Sequence, residues 1–203
     1  MDAIRNHFDH MAGNWDKRGT ADKLRKRLAS LVAMLDIPYG GRVLDAGTGT
    51  GILQPYLLSA VGASGRVLAF DFSGCMLSEA LKKERFDNLE CFQANVTAIP
   101  LQDRTCDCVV CFAAFPHFQQ KELALQEMAR VTKYGGWVAI AHLMSRRQIA
   151  RHHNATPEVA GHYLPTALQL QRFFSAAGLK TVSIDDKPGL YLAKAEKQPS
   201  AAS

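Results

Sequence analysis

The stretch that most constrains this chain is Arg42-Val43-Leu44-Asp45-Ala46-Gly47-Thr48-Gly49-Thr50-Gly51. It opens as a short apolar run ending on a carboxylate. It then turns on three alternating glycines into an apolar helical face at Ile52, Leu53, Tyr56, Leu57, Ala60 and Val61. A strand, a glycine turn and a helix in that order form a nucleotide cradle, because glycine tolerates the turn and the helix start brings free amide donors. Glycines also occur at strand-to-helix turns for steric reasons alone, so the run by itself names no ligand.

The alternation continues along the chain. Ala21 to Leu35 carries a helical stripe at Leu24, Leu28, Leu31, Val32 and Leu35, stopped by Pro38-Tyr39-Gly40-Gly41. Arg66 to Asp71 is a second strand ending on a carboxylate, and Ser73 is placed to cap a helix bearing Met76, Leu77, Ala80 and Leu81. Leu89 to Gln93, Cys106 to Phe112 and Trp137 to His142 read as strands three to five, with a helix over about Lys121–Val131 between the last two. Residues 143–165 show no strong period and read as a loop. A last helix around Leu168–Ala177 precedes strands at Thr181–Ile184 and Leu190–Ala193, whose tight turn requires antiparallel pairing. Residues 1–20, with Trp15, Asp16, Gly13 and Gly19, read as a short helix plus loop lying on the main body.

These segments predict one doubly wound α/β domain, Rossmann-like, with a mostly parallel seven-stranded sheet and an antiparallel C-terminal hairpin. It carries a helical cap over 1–36, a substrate-side loop over 143–165 and a flexible tail over 196–203. A chain of 203 residues suits one such core. The net charge of +5 permits an anionic partner without demanding one, and the basic cluster Lys23, Arg25, Lys26, Arg27 reads as a solvated helix face rather than a nucleic-acid surface. Five cysteines, no apolar leader and no span of about 20 apolar residues predict a cytoplasmic protein with reduced thiols and no membrane segment. Cys106, Cys108 and Cys111 lie in one strand. The first two are expected on one face and the third on the other, as buried small hydrophobes rather than ligands of one ion.

The glycine spacing is Gly47-x-Gly49-x-Gly51, not G-x-G-x-x-G, and no P-loop sequence is present. The whole run, Val43 to Gly51, resembles the first signature of the class I S-adenosylmethionine-dependent methyltransferases. The likeness continues in order. Val67 to Leu77 is similar to the family's second strand with its ribose-binding acid at Asp71. Ala94 to Leu101 is similar to its adenine-side loop, Asp107 to Phe112 to its fourth strand, and Tyr134-Gly135-Gly136-Trp137 to the glycine turn before the fifth. Phe8 to Asp16 is similar to the N-terminal cap of the subgroup that methylates quinones and other small molecules.

The resemblance implies S-adenosylmethionine as cofactor, held by Asp45, Gly47, Thr48, Gly49, Gly51, Asp71, Phe72, Met76, Asn95, Val96 and Phe112. Asn95 stands where the family usually has an acid, and its carbonyl would accept from the adenine amino group without charge assistance. Val96 would offer its backbone N–H to the ring, and Phe72 and Met76 would sandwich the adenosine.

Methyl transfer is an in-line displacement from an activated carrier, and positioning supplies much of its acceleration. The acceptor site of such a sheet lies beyond the strand ends, at Phe112–Phe118, His142 and the 143–165 loop. Phe112-Ala113-Ala114-Phe115 lacks the Asn/Asp-Pro-Pro-Tyr/Phe run of amino-group nucleic-acid methyltransferases, so a small organic or soft acceptor is expected. His117 and His142 are the candidate bases. His152, His153 and His162 are weaker metal-ligand candidates without recognised spacing, so no metal is assigned. A homodimer is compatible with the sequence. Two other function classes remain at this level: a sensor or binding protein using the cofactor fold and the His-rich loop without turnover, and a nicotinamide-dependent oxidoreductase, disfavoured by the glycine spacing.

Overall fold

In the computed structural model of the chain, residues 2–13, 21–83 and 86–199 are described. The expected positions of Trp15, Asp16 and Gly19, and of the tail from Ser200, lie outside them. The elements follow in the order α1 (Asp2–Met11), α2 (Ala21–Leu35), β1 (Arg42–Ala46), α3 (Gln54–Val61), β2 (Arg66–Asp71), α4 (Gly74–Leu81), β3 (Leu89–Gln93) and β4 (Cys106–Phe112). They continue with α5 (Lys121–Val131), β5 (Thr132–His142), α6 (Arg146–Asn154), α7 (Ala167–Ala176), β6 (Leu179–Lys187) and β7 (Leu190–Lys197).

The seven strands lie in the order β3-β2-β1-β4-β5-β7-β6. The first five neighbours pair in parallel, and β7 runs antiparallel to both β5 and β6. The doubly wound sheet with its antiparallel C-terminal hairpin is therefore present. The hairpin folds back so that β7 fills the space between β5 and β6. Strands β1 and β4 are neighbours although β2 and β3 intervene in sequence, and their carboxyl ends open the crevice where sheets of this kind take a ligand.

Both faces of the sheet are covered, which is why β1, β2 and β4 read as continuous apolar runs. Leu44, Leu68, Val109 and Ile140 join Leu125 and Met128 of α5 and Phe174 of α7 on one side. Val43, Val67, Val110 and Ala139 join Leu28, Leu31 and Leu35 of α2 and Leu57 of α3 on the other. Helix α1 lies against the body through Ile4 and Phe8, which with Ala12 just after the helix cluster with Met76 and Phe72.

The structure departs from the sequence reading in four places. Residues 146–154 are helical, not loop. Gln148 N–H donates to the Ser145 hydroxyl and Ser145 N–H donates to the Gln148 side chain, a reciprocal cap that starts α6. Only Ile149 and His153 of this helix are buried, so an Arg- and His-rich face hides its period. Second, the pairing of β4 with β5 shifts register between Cys106 and Cys108. That bulge turns Cys106 to the side of Val109 and Cys111, while Cys108 joins Val110 on the opposite face, correcting the expected pairing of Cys106 with Cys108. All three thiols are buried, and burial pushes Cys106 up to about 12. Third, β5 begins at Thr132, earlier than the Trp137 expected. Fourth, Glu196 and Lys197, placed in the tail by sequence, belong to β7, where Lys197 Nζ donates to the Arg130 and Thr132 carbonyls.

Candidate functional site

The turn after β1 spends its amides internally. Gly47 and Thr48 N–H both donate to the Phe70 carbonyl at 2.9 Å, Gly49 N–H donates to Asp71 Oδ2 at 2.9 Å, and Gly51 N–H donates to the Thr48 carbonyl at 3.0 Å. The bare donors expected of a cradle are absent at these four positions. A diphosphate would find few free N–H groups here and two buried carboxylates beneath them. Gly47 is held at φ +76, and a Cβ there would meet that of Ala114 at 2.6 Å. The turn is thus shaped to let the fourth-strand exit pass close to it.

Asp45 sits under the turn, 1 % exposed. Its Oδ2 accepts from the Thr48 hydroxyl at 2.6 Å, and that hydroxyl oxygen accepts from Gln54 Nε2 at 3.0 Å. Burial pushes the Asp45 carboxyl up to about 7, opposed by the Thr48 bond. Asp71, at the end of β2, accepts Gly49 N–H on one oxygen and Ser73 N–H on the other, both at 2.9 Å. Burial raises its pKa, against backbone bonds from Ser73, Gly49 and Phe72. With three of about four acceptor sites of the carboxylate taken by backbone N–H groups, Asp71 retains capacity for one hydroxyl donor. Ser73 caps α4 by accepting Met76 N–H at 3.1 Å, and its hydroxyl also donates to Asp9, which ties α1 to the site.

A cavity of about 210 Å³ opens above these groups. Of the residues predicted to hold a cofactor, Gly47, Thr48, Gly49, Asp71, Phe72, Met76, Asn95, Val96 and Phe112 line it, and so does His117. Asp45 and Gly51 do not line it: they shape the loop from below and behind. His142 does not line it either and is buried at the end of β5. Phe118, expected on the acceptor side, also lines it, and lining residues to which sequence reasoning gave no role are Ile4 on α1, Thr50 within the turn, Ile52 beyond it, Thr97, and Gln119 and Gln120 before α5. Ala113, also lining, has φ 56, a left-handed conformation rare for alanine and located where β4 leaves the sheet.

The adenine-side expectation for Asn95 changes. Its Oδ1 accepts both the backbone N–H and the hydroxyl of Thr97, each at 3.0 Å. An N–H can only donate, so the atom facing it is the carbonyl oxygen, and its two lone pairs are taken. The loop is held further by Arg130, which donates to the Ile99 and Leu101 carbonyls at 2.8 and 2.7 Å, while Glu127 accepts Ile99 N–H at 2.8 Å.

Four histidines separated in sequence gather beside the cavity. His117 Nδ1 lies 3.0 Å from His162 Nδ1. The His117 and His153 ring centroids are 4.9 Å apart, and His153 Nδ1–H donates to the His162 carbonyl. His142 acts electrostatically on His117 from behind. His152 points its helix position outward and is exposed. Burial first, then the neighbouring imidazoles and Lys121, hold His117 neutral, down to about 2, and burial holds His142 down to about 3. His142 Nε2 and the hydroxyl of its cross-strand partner Tyr191 are buried without a hydrogen-bond partner among the described residues. Among those residues no group of three His, Cys, Asp or Glu side chains is arranged to hold a metal ion.

Adenosylmethionine offers a ribose diol, an adenine, an amino-acid end and a sulfonium cation, with no phosphate. The site matches that inventory. The loop amides of Gly47, Thr48, Gly49 and Gly51 are spent, Asp71 keeps a lone pair for a hydroxyl, two buried acids and no basic group lie beneath the turn, and Phe72, Met76 and Val96 provide apolar walls.

Residues 44–140 match the family described as Methyltransferase domain. The chain is 39% identical over 101 residues to the ubiquinone/menaquinone biosynthesis C-methyltransferase UbiE of Cronobacter sakazakii, an alignment covering 48% of this chain and 40% of the relative. The chain thus spans less than half the length of the curated relatives it matches. Among solved structures, one from the complex between the Haloferax volcanii Trm112 methyltransferase activator and a methyltransferase superposes with a TM-score of 0.80 at 20% identity, covering 95% of this chain and 98% of that one. A SAM-dependent methyltransferase from Aquifex aeolicus superposes with a TM-score of 0.66 at 23% identity, covering 83% and 98%. The resemblance to class I adenosylmethionine-dependent methyltransferases, and to the quinone-biosynthesis members, is borne out over this central segment, and the structural likeness bears out the fold.

Proposed function

We propose that this chain is an S-adenosylmethionine-dependent methyltransferase acting on a small organic acceptor. The observation that carries the reading is the cavity itself, where a phosphate-averse glycine turn, a ribose-competent Asp71 and an apolar aromatic mouth converge at the crevice between β1 and β4. When bound, the cofactor supplies an activated methyl group on a sulfonium, ready for in-line displacement. Asp71 holds the ribose side while its bonds from Gly49 and Ser73 fix the carboxylate plane. Val96 and Met76 close the adenosine walls, and Asp45, through Thr48, keeps the turn in shape.

The acceptor enters from the side of Phe112, Phe118 and Phe8, where aromatic surface excludes water and leaves few polar groups. His117 is the imidazole nearest that space; it is neutral at pH 7, and burial makes it hold a proton only weakly, so as a base it must pass the proton on. His142, buried behind, supports the wall and does not meet the acceptor. No helix among the described residues is long and apolar enough to cross a membrane, and five free thiols suit a reducing cytoplasm.

Titration calorimetry with S-adenosylmethionine, S-adenosylhomocysteine and NAD tests the reading. Both sulfur compounds are expected to bind and NAD is not; binding of NAD with no response to adenosylmethionine overturns it.

A further inference from the structure

His117 is packed by α5, α6, β5, the loop before α7 and, through Phe8, by α1, and no carboxylate of the described residues is among the groups acting on it, Asp9 of α1 being engaged by the Ser73 hydroxyl. The titratable groups acting on it are His153 on α6, His162 in the loop before α7, His142 on β5 and Lys121 on α5. Those acting on His162 are Lys121, His153 and His7 of α1. Lys121 Nζ is pinned nearby by the Pro116 and Phe118 carbonyls at 3.0 and 2.7 Å. An imidazolium at His117 would thus face the Lys121 cation and neutral imidazoles, with no counter-charge among the described residues acting on it. Such a base takes a proton only if it can hand it on.

The route is present. The 3.0 Å contact between the two Nδ1 atoms requires one ring to donate and the other to accept. His162 is half-buried and borders solvent, whereas His117 lines the cavity. His153 is buried, and its Nδ1–H donates to the backbone carbonyl of His162, which sets the backbone from which that ring reaches His117. Resting on the reading above, we propose that His117 and His162 form a two-imidazole proton relay from the acceptor cavity to solvent, with His153 as a positioning residue, and that the acceptor is a weakly acidic O–H or S–H compound.

The steps balance. With its proton on Nδ1, shared toward His162, His117 has Nε2 as the nitrogen left for an acceptor. The acceptor's X–H bond breaks, its electron pair stays on X as the nucleophile, and the proton goes to Nε2. The Nδ1 proton passes to His162 Nδ1, and His162 releases its Nε2 proton to water. Between turnovers, with the product gone, His117 releases its Nε2 proton to water in the open cavity, the Nδ1 proton returns from His162, and His162 takes one from solvent, so that one proton is released for each methyl transferred. An acceptor that arrives with a free lone pair, such as an unprotonated amine or a thioether, would need none of this.

The test is nitrogen-edited NMR of histidine-labelled protein with S-adenosylhomocysteine bound. His162→Gln keeps a carbonyl able to accept from His117 but cannot pass a proton on. Exchange of the His117 ring proton with water is expected to be at least tenfold slower in this variant than in the unaltered protein, and unchanged in His152→Gln, whose ring lies outside the pair. Equal exchange rates in the His162 variant and the unaltered protein overturn the relay. So does a shared proton that is seen only after EDTA is added, which would assign the pair to a metal.

For the acceptor class, phenol and benzyl mercaptan, both protonated at neutral pH, are expected to shift the His117 Nε2 resonance, and benzylamine is not; the reverse pattern overturns that part. Calorimetric binding of S-adenosylhomocysteine is scored separately. Its absence strikes the methyltransferase reading, while the exchange rates, measured then in the free protein, still judge the relay.

Discussion

Replacing His142 by Leu isolates the effect of one buried neutral imidazole. His142 is 4 % exposed, its Nε2 lacks a partner among the described residues, and burial together with His153 holds its pKa down from 6.5 to about 3. In the unfolded chain it titrates near its ordinary value. Below 6.5 the unfolded state therefore binds a proton that the folded state refuses, and stability contributed by His142 is full above 6.5 and lost progressively as pH falls toward 3. At about pH 5 that loss amounts to about 2 kcal/mol, and at about pH 7.5 it is close to zero.

Leucine has no such term. Its effect near neutrality is the removal of an unpaired nitrogen, worth about 1–3 kcal/mol, set against any packing mismatch beside Tyr191. Urea unfolding followed by circular dichroism at both pH values gives a difference of differences in which that packing term cancels. His142→Leu is expected to gain about 2 kcal/mol on the unaltered protein between about pH 7.5 and about pH 5. Asp45, raised to about 7, works the opposite way, weakening the fold as pH climbs from 3.8 to 7, and it is not among the groups acting on His142, so it cancels too. A gap that stays constant within about 0.5 kcal/mol refutes the buried-neutral assignment.

Asp71→Asn keeps the shape but turns a donor toward Gly49 or Ser73 N–H and removes the charge from the ribose side; adenosylmethionine affinity by calorimetry is expected to fall at least about tenfold. Gly47→Ala combines the left-handed strain of φ +76 with a 2.6 Å approach to Ala114 Cβ. It is expected to destabilise by about 2–4 kcal/mol in urea titration. Arg130→Met leaves the Ile99 and Leu101 carbonyls without their guanidinium donor. A stability loss of about 1–2 kcal/mol is expected, since the side chain is partly exposed, with faster proteolysis of the 95–103 segment as a second readout.

The sheet and its cofactor wall were legible because periodicity and turn residues report local geometry. Leu44, Val67 and Val109 announce strands buried on both faces, and Ser73 announces a helix start that the structure confirms by its bond from Met76. Three things were hidden for physical reasons. The Ser145-x-x-Gln148 signature of α6 was readable, but the helix buries only Ile149 and His153, so its apolar stripe is too narrow to register. The facing of Cys106 depends on a bulge that no side-chain pattern encodes. The meeting of His117 with His162 joins a strand exit to a loop 45 residues later, and only the docking of α6 brings them together. Asp45 looked like a ligand contact for a related reason: sequence places it at the turn but does not say that its carboxylate is already engaged by Thr48.

The order of strands also bears on how the chain is made. Residues 190–197 are among the last of the described chain to leave a ribosome, yet they form an interior strand with partners on both sides. Until they emerge, β5 presents an unpaired edge, and β6 has nothing to hold it to the sheet, since its only strand partner is β7 among the described residues. A nascent or C-terminally clipped chain thus carries a finished nucleotide half beside an open, adhesive edge, the kind of surface that chaperones bind. Lys194 and Lys197 lie on that late strand, and both bond back to carbonyls of earlier elements, at Leu35 and at Arg130 and Thr132. Emergence of β7 therefore sets the moment at which the β5 edge is closed and β6 is joined to the sheet.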